Sequence, residues 1–190
     1  MRRWKGVEPS TIIRGMAGRR RDKLAVIKSL SLPFTVLLVI PALLLSGTNG
    51  FRSGWGLGQA YDALIVCVGS VIIGAGLYLL VTTIRLFWDV GKGTLAPWAP
   101  PKKLVVSGPY RYVRNPMISG VLLVLLGESV VFGSVAIFIW AILFFIINHF
   151  YFIFSEEPGL VRRFGEEYLR YRENVPRWLP RLKPWRDGQG

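Results

Sequence analysis

Two short patches of this chain combine residue types that can do chemistry. The first is "GPYRYVRNPMISG", residues 108–120, where Arg111, Arg114 and Asn115-Pro116 stand directly before a long apolar run. A plain cationic anchor needs only the arginines. A basic, aromatic segment interrupted by proline offers more, because the break leaves backbone groups free for a ligand. The second patch is Glu156-Glu157, at the end of another apolar run. Adjacent carboxylates repel, so the pair has a cost unless cations offset it, and Arg111, Arg114, Arg162 and Arg163 are the cations at hand. Two readings stay open for the pair. One is a ligand site; the other is a helix start, with Ser155 as cap, the acids in the first turn and Pro158 near the beginning. Three polar residues lie deeper. Asn148 and His149 either line a ligand's path from the bilayer or bond between helices, and His149 shares a helix face with Glu156. Glu128, inside an apolar run, is either a functional acid or one close to water.

The elements that must position these residues follow from composition. Hydrophobic residues make up 52% of the chain, yet its net charge is +13. That combination reads as apolar spans separated by basic loops rather than as a nucleic-acid binder. One cysteine (Cys67) and one histidine (His149) exclude an internal disulfide and a Cys- or His-rich metal site. A span needs about 20 mostly apolar residues, and four runs qualify: 29–47, 63–88, 116–133 and 134–154. Pro33 and Pro41 kink the first. Ser70, Gly74, Gly69 and Ala75 give the second a small-residue packing face. The last two runs join as a tight hairpin. Basic residues number nine before the first run, one between the first and second, six around the next connection and eight after the fourth. This alternation puts both termini and the second connection in the cytoplasm and leaves a short external segment near 49–61. The apolar stretches begin late for a cleaved signal, so the first is a retained span.

The expected fold is therefore an all-α integral membrane protein of about four transmembrane helices, followed by a cytoplasmic amphipathic helix. The C-terminal pattern Leu160, Phe164, Tyr168, Tyr171 has helical spacing, and "VPRWLP" ends it in an extended interfacial segment. Three regions follow: a basic segment 1–28, the first two spans with their connection 29–105, and the hairpin with its tail 106–190. The hairpin brings the doorway at Arg114 and the acids at Glu156 to the same cytoplasmic surface. No strand followed by Gly-x-Gly-x-x-Gly is present, so no Rossmann domain is expected.

This arrangement resembles the integral-membrane methyltransferases typified by isoprenylcysteine carboxyl methyltransferase and the phospholipid N-methyltransferases. Their signature is Arg-His-Pro-x-Tyr, a hydrophobic hairpin and then Glu-Glu. Here the chain reads Arg114-Asn115-Pro116-Met117-Ile118, a hairpin, then Glu156-Glu157. The flanks "GPYRYVRNP" and "FGEEYLRYRENVPRWLP" look like the carboxyl methyltransferase branch, and the likeness covers about residues 106–180. Asn115 stands in place of the usual histidine and Ile118 in place of the usual tyrosine.

The resemblance implies S-adenosylmethionine as cofactor, held between the hairpin mouth and the tail. Arg114 and Glu156 would then be catalytic. Tyr110, Arg114, Asn115, Pro116, Glu156, Glu157, Phe164 and Tyr168 would bind the cofactor, and Asn148 and His149 would face the substrate. Glu156 or Glu157 suits the cofactor's cationic groups or hydroxyls, and the planar fork of Arg114 suits a carboxylate on the cofactor or the acceptor. The acceptor would be lipophilic, entering from the bilayer of the plasma membrane, with membrane lipids as the other partners. Two other functions compete. A membrane reductase of the sterol or steroid type would use NADPH, but its "HPNYxGE" region corresponds here to "NPMISGV", without the histidine, tyrosine and acid. A non-catalytic basic protein binding anionic lipid accounts for the charge but not for Glu156-Glu157 beside the arginines.

Overall fold

The computed structural model describes residues 31–48, 54–90 and 103–186. The expected basic segment 1–28 and residues 49–53 of the expected external segment lie outside the described residues. Among the described residues every regular element is helical. Helix α1 (Ser31–Gly47) and α2 (Gln59–Asp89) are followed by a 3₁₀ turn at Gly108–Arg111. Then come α3 (Pro116–Val131) and α4 (Val135–Tyr151). A π turn at Phe152–Glu156 leads α4 into α5 (Glu157–Phe164), and α6 (Glu166–Asn174) closes the series.

Two helices are long and apolar enough to cross a membrane, Gln59–Leu86 and the continuous Val135–Phe164. The shorter apolar helices are Ser31–Gly47 and Pro116–Phe132. At 1.5 Å per residue, α3 with its 16 residues extends about 24 Å, short of a hydrocarbon core of about 30 Å. Large apolar side chains such as Leu64, Val71, Tyr78, Ile147 and Phe150 face outward, the inverse of a soluble helix bundle.

Prolines explain two local features. Pro41 follows a π turn at Thr35–Val39, and Pro158 follows the π turn at Phe152–Glu156. A proline lacks the N–H that would bond one turn back and crowds that carbonyl; a widened turn just before it accommodates both. The helix therefore runs on through Ser155 instead of starting there. The expected cap at Ser155 is corrected: Ser155 lies inside the π turn, and neither end of that turn has a side-chain cap.

The tight hairpin forms as expected. Gly133 has φ +57° and a Cβ there would stand 2.9 Å from the Gly54 carbonyl oxygen, so only glycine suits the turn. Ser134 caps α4 by accepting from the Ile137 N–H at 3.3 Å. The main helix contact is α2 against α3. Gly69 meets Gly127, and Gly76 meets Gly120: a Cβ on Gly76 would be 2.8 Å from the Gly120 oxygen, and one on Gly127 would be 2.8 Å from the Gly69 oxygen. Two glycine pairs, two turns apart, let the backbones touch. The expected packing face thus holds at Gly69 and is corrected at Gly74 and Ser70. Gly74 has nothing within 4 Å of a Cβ, and Ser70 bonds back to Val66 O on an exposed side.

Leu37, Leu80, Val121, Val124, Leu125 and Ala141 form the core where α1 to α4 meet. A second core holds the tail: Tyr168, Tyr171, Val175 and Trp185, with Leu104, Val106 and Phe164 against them. The single tail helix expected from the Leu160–Tyr171 pattern is two helices. Gly165, with φ +53° and ψ −129°, breaks it and turns α6 back on the doorway.

Candidate functional site

The doorway and the acids meet at the mouth of the hairpin. Pro116 begins α3 and disfavours helix at Asn115, which has φ −120° and ψ 55°. Arg111 and Arg114, three residues apart, consequently diverge. Arg111 Nε donates to Trp185 O at 2.7 Å. Arg114 turns inward, and its Nη1 donates to Glu157 Oε1 at 2.8 Å and, more weakly, to the Tyr168 hydroxyl at 3.4 Å.

Glu157 has a second arginine. Arg177 Nε donates to Glu157 Oε1 at 2.7 Å, and Arg177 Nη2 donates to Oε2 at 3.0 Å. Both carboxylate oxygens are therefore taken. Sequence reading missed Arg177 and named Arg162 and Arg163 instead; Arg163 sits over the Phe164 ring. The bidentate bond to Glu157 holds the Arg177 guanidinium further up in pKa. Glu156 differs from its neighbour: among the described residues it has no ion pair, and it is only partly buried.

A cavity of about 460 Å³ opens at this mouth, a size suited to a small ligand. Its polar wall is built from Tyr110, Arg114, Asn115, Glu156, Glu157 and Tyr168, with Phe164 beside them. Toward the middle of the helices the lining turns apolar, with Val36, Leu80, Ile84, Met117, Val121 and Phe144. Asn148 lines this cavity while its Nδ2 donates to Phe144 O at 2.8 Å. The structure thus brings seven of the eight expected cofactor residues and Asn148 to one cavity. Pro116 is buried beneath the wall, and His149 points elsewhere: its Nδ1 accepts from Trp178 Nε1 at 3.0 Å. Glu128 does not line this cavity; its Oε2 is buried with no hydrogen-bond partner among the described residues.

Two donors in the polar wall are also buried and have no partner among the described residues, Arg114 Nε and Asn115 Nδ2. Buried donors without acceptors are uncommon, and a carboxylate is the group that suits two of them beside an arginine. Two guanidinium groups share the Glu157 carboxylate, while the Glu156 side chain, outside those ion pairs, suits a cation. Tyr168 stays a neutral phenol, because burial and then the Glu157 carboxylate push its pKa up. Burial does the same for Tyr171, whose hydroxyl donates to Tyr110 O at 2.6 Å.

Comparison with known proteins agrees with this layout. The model of the phospholipid methyltransferase family matches residues 64–167, just over half of the chain. The protein-S-isoprenylcysteine O-methyltransferase of Schizosaccharomyces pombe is 36% identical over 80 residues, which are 40% of this chain and 33% of that protein. This chain therefore spans about a third of the length of that relative. An uncharacterized protein of Haemophilus influenzae is 35% identical over 63 residues, 33% of this chain and 100% of that protein. No solved structure matches. The match runs from within α2 through α5 and takes in both patches of the site, while Tyr168 and Arg177 lie beyond its end. With its long apolar helices, the chain is a membrane protein and belongs to the phospholipid methyltransferase family.

Proposed function

We propose that this chain is a methyltransferase that uses S-adenosylmethionine and acts on a lipophilic acceptor bearing a carboxylate, methylated on oxygen. The observation that carries the reading is the cavity. It joins a charged wall with two unpartnered buried donors to an apolar interior. The residues fit the cofactor's opposite charges, with Glu156 for its cationic groups and Arg114 Nε with Asn115 Nδ2 for a carboxylate of the cofactor or acceptor. The name of the yeast relative supports a prenylated carboxylate as acceptor.

When bound, the cofactor supplies an electrophilic methyl group. The chain's own part is placement and desolvation. Arg114 and Glu156 fix the two charged ends, Tyr110, Phe164 and Tyr168 enclose the site, and Val121, Leu80 and Phe144 exclude water and receive an apolar tail. A carboxylate is already ionised at neutral pH, so it needs no general base. On that ground Asn115 in place of histidine costs an O-methylating enzyme little. Four spans, with both termini and the site on the cytoplasmic side of the plasma membrane, complete the proposal, on the strength of the charge alternation. The acceptor enters from the bilayer between helices.

The test is transfer of a labelled methyl group from S-adenosylmethionine to a prenylated thioether carboxylic acid by the purified protein in detergent. Base-labile label is expected, and at least tenfold less of it with Arg114→Lys, which keeps the charge but loses the planar fork. Transfer to an amine alone would overturn the carboxylate assignment.

A further inference from the structure

We propose that Arg177 is a positioning residue of this site, one that keeps Glu157 from occupying the edge of Arg114 a ligand needs; the proposal rests on the reading above. Glu157 Oε1 accepts from both Arg114 Nη1 and Arg177 Nε, while Oε2 accepts only from Arg177 Nη2. An isolated arginine and carboxylate prefer a two-pronged pair. Freed from Arg177, Glu157 would turn its second oxygen onto Arg114 Nη2, the other prong beside Nη1, and Nη2 shares an edge with Nε, the donor that is buried and has no partner among the described residues. Arg177 takes that oxygen instead and leaves the Arg114 edge open toward the cavity.

The chain holds Arg177 firmly enough for this role. Its strap, residues 175–185, runs back along the doorway. Arg114 N–H donates to Pro176 O, Arg181 N–H to Tyr112 O and Trp185 N–H to Arg111 O, each at 2.9 Å. On the other side of Arg177, Trp178 bonds His149 and sets its ring 5.0 Å from Phe145 and 5.7 Å from Phe152, centre to centre. Both neighbours of Arg177 are thus fixed, one to α3's entrance and one to α4. His149 serves this anchor rather than the cavity.

A double-mutant cycle in two readouts tests the proposal. Calorimetric titration with S-adenosylmethionine should show Arg177→Ala raising Kd about tenfold, Arg177→Lys recovering part of the loss, and turnover at saturating cofactor changing less than about threefold. In a Glu157→Gln background Arg177→Ala should add nothing. Thermal unfolding of the unliganded protein should show the same non-additivity between Arg177→Ala and Glu157→Gln. Additive effects in both readouts, or unchanged Kd with Arg177→Ala, would overturn it. A wild-type protein that does not bind S-adenosylmethionine would instead defeat the proposed cofactor, and non-additive unfolding would still uphold the Arg177–Glu157 coupling.

Discussion

Replacing Glu156 and Glu157 one at a time by glutamine should separate two residues that the sequence presents as a pair. Glu157→Gln keeps the acceptor facing Arg114 Nη1 and Arg177 Nε. It puts an NH₂ group against Arg177 Nη2, where the carboxylate now accepts at 3.0 Å. One bond to a charged partner is lost outright, worth about 1.5–3 kcal/mol, and two others lose their anionic partner. Removing one member of a buried ion pair costs about 3–5 kcal/mol. The Arg177 side chain is 21% exposed, so solvent screens part of that and a net loss of about 2–3 kcal/mol is expected. At about 2–4 °C per kcal/mol the melting temperature should fall about 5–10 °C. Glu156→Gln breaks no ion pair seen among the described residues. It should melt within about 2 °C of wild type, because isolated substitutions of this kind cost about 0.5 kcal/mol or less, yet bind the cofactor at least tenfold more weakly, about 1.4 kcal/mol. Thermal shift and calorimetry in the same detergent read both. The reasoning fails if Glu156→Gln is the destabilised variant and binds normally, or if Glu157→Gln melts like wild type.

Three further outcomes follow from the geometry. Gly76→Ala should lower stability by about 1–3 kcal/mol through its contact with the Gly120 oxygen, whereas Gly74→Ala, with open space, should be neutral or slightly stabilising; equal melting temperatures would refute the glycine crossing. Tyr110, Tyr168 and Tyr171 have phenols raised above the ordinary 10.0 by burial. The unfolded chain therefore releases these protons first, and stability is full below about pH 10 and falls above it; the melting temperature should drop from pH 9 to 11, less steeply in Tyr171→Phe, and a pH-independent value would contradict the burial. In a Cys67→Ser background, Ser107→Cys should be labelled by an impermeant reagent only after permeabilisation and Ser53→Cys from outside; the reverse pattern would invert the proposed orientation.

The meeting of Arg114 with the acids was legible in the sequence because a hairpin with almost no loop leaves the start of α3 and the end of α4 nowhere else to go. Which of the two acids the arginines hold was not. Neighbouring helical residues point about 100° apart, and the π turn at Phe152–Glu156 sets the phase. The cap signal at Ser155 was overridden by that turn. The packing face of α2 was found only at Gly69, for a related reason: a helix apolar on all sides has no periodic stripe to give its rotation. The break at Gly165 carried a readable sign, glycine between a helix whose last turn is basic (Arg162, Arg163) and a fresh Glu-Glu. Arg177 carried none. Its contact with Glu157 spans 20 residues of chain and depends on a strap whose course is fixed by backbone bonds, which composition does not encode.

The cavity's ligand is the centre of this account, and direct binding tests it. Purified protein in detergent should be titrated with S-adenosylmethionine and, separately, with NADPH. Saturable one-to-one binding of S-adenosylmethionine is expected, weakened at least tenfold by Glu156→Gln, and none of NADPH. Saturable binding of NADPH with no heat from S-adenosylmethionine would contradict it.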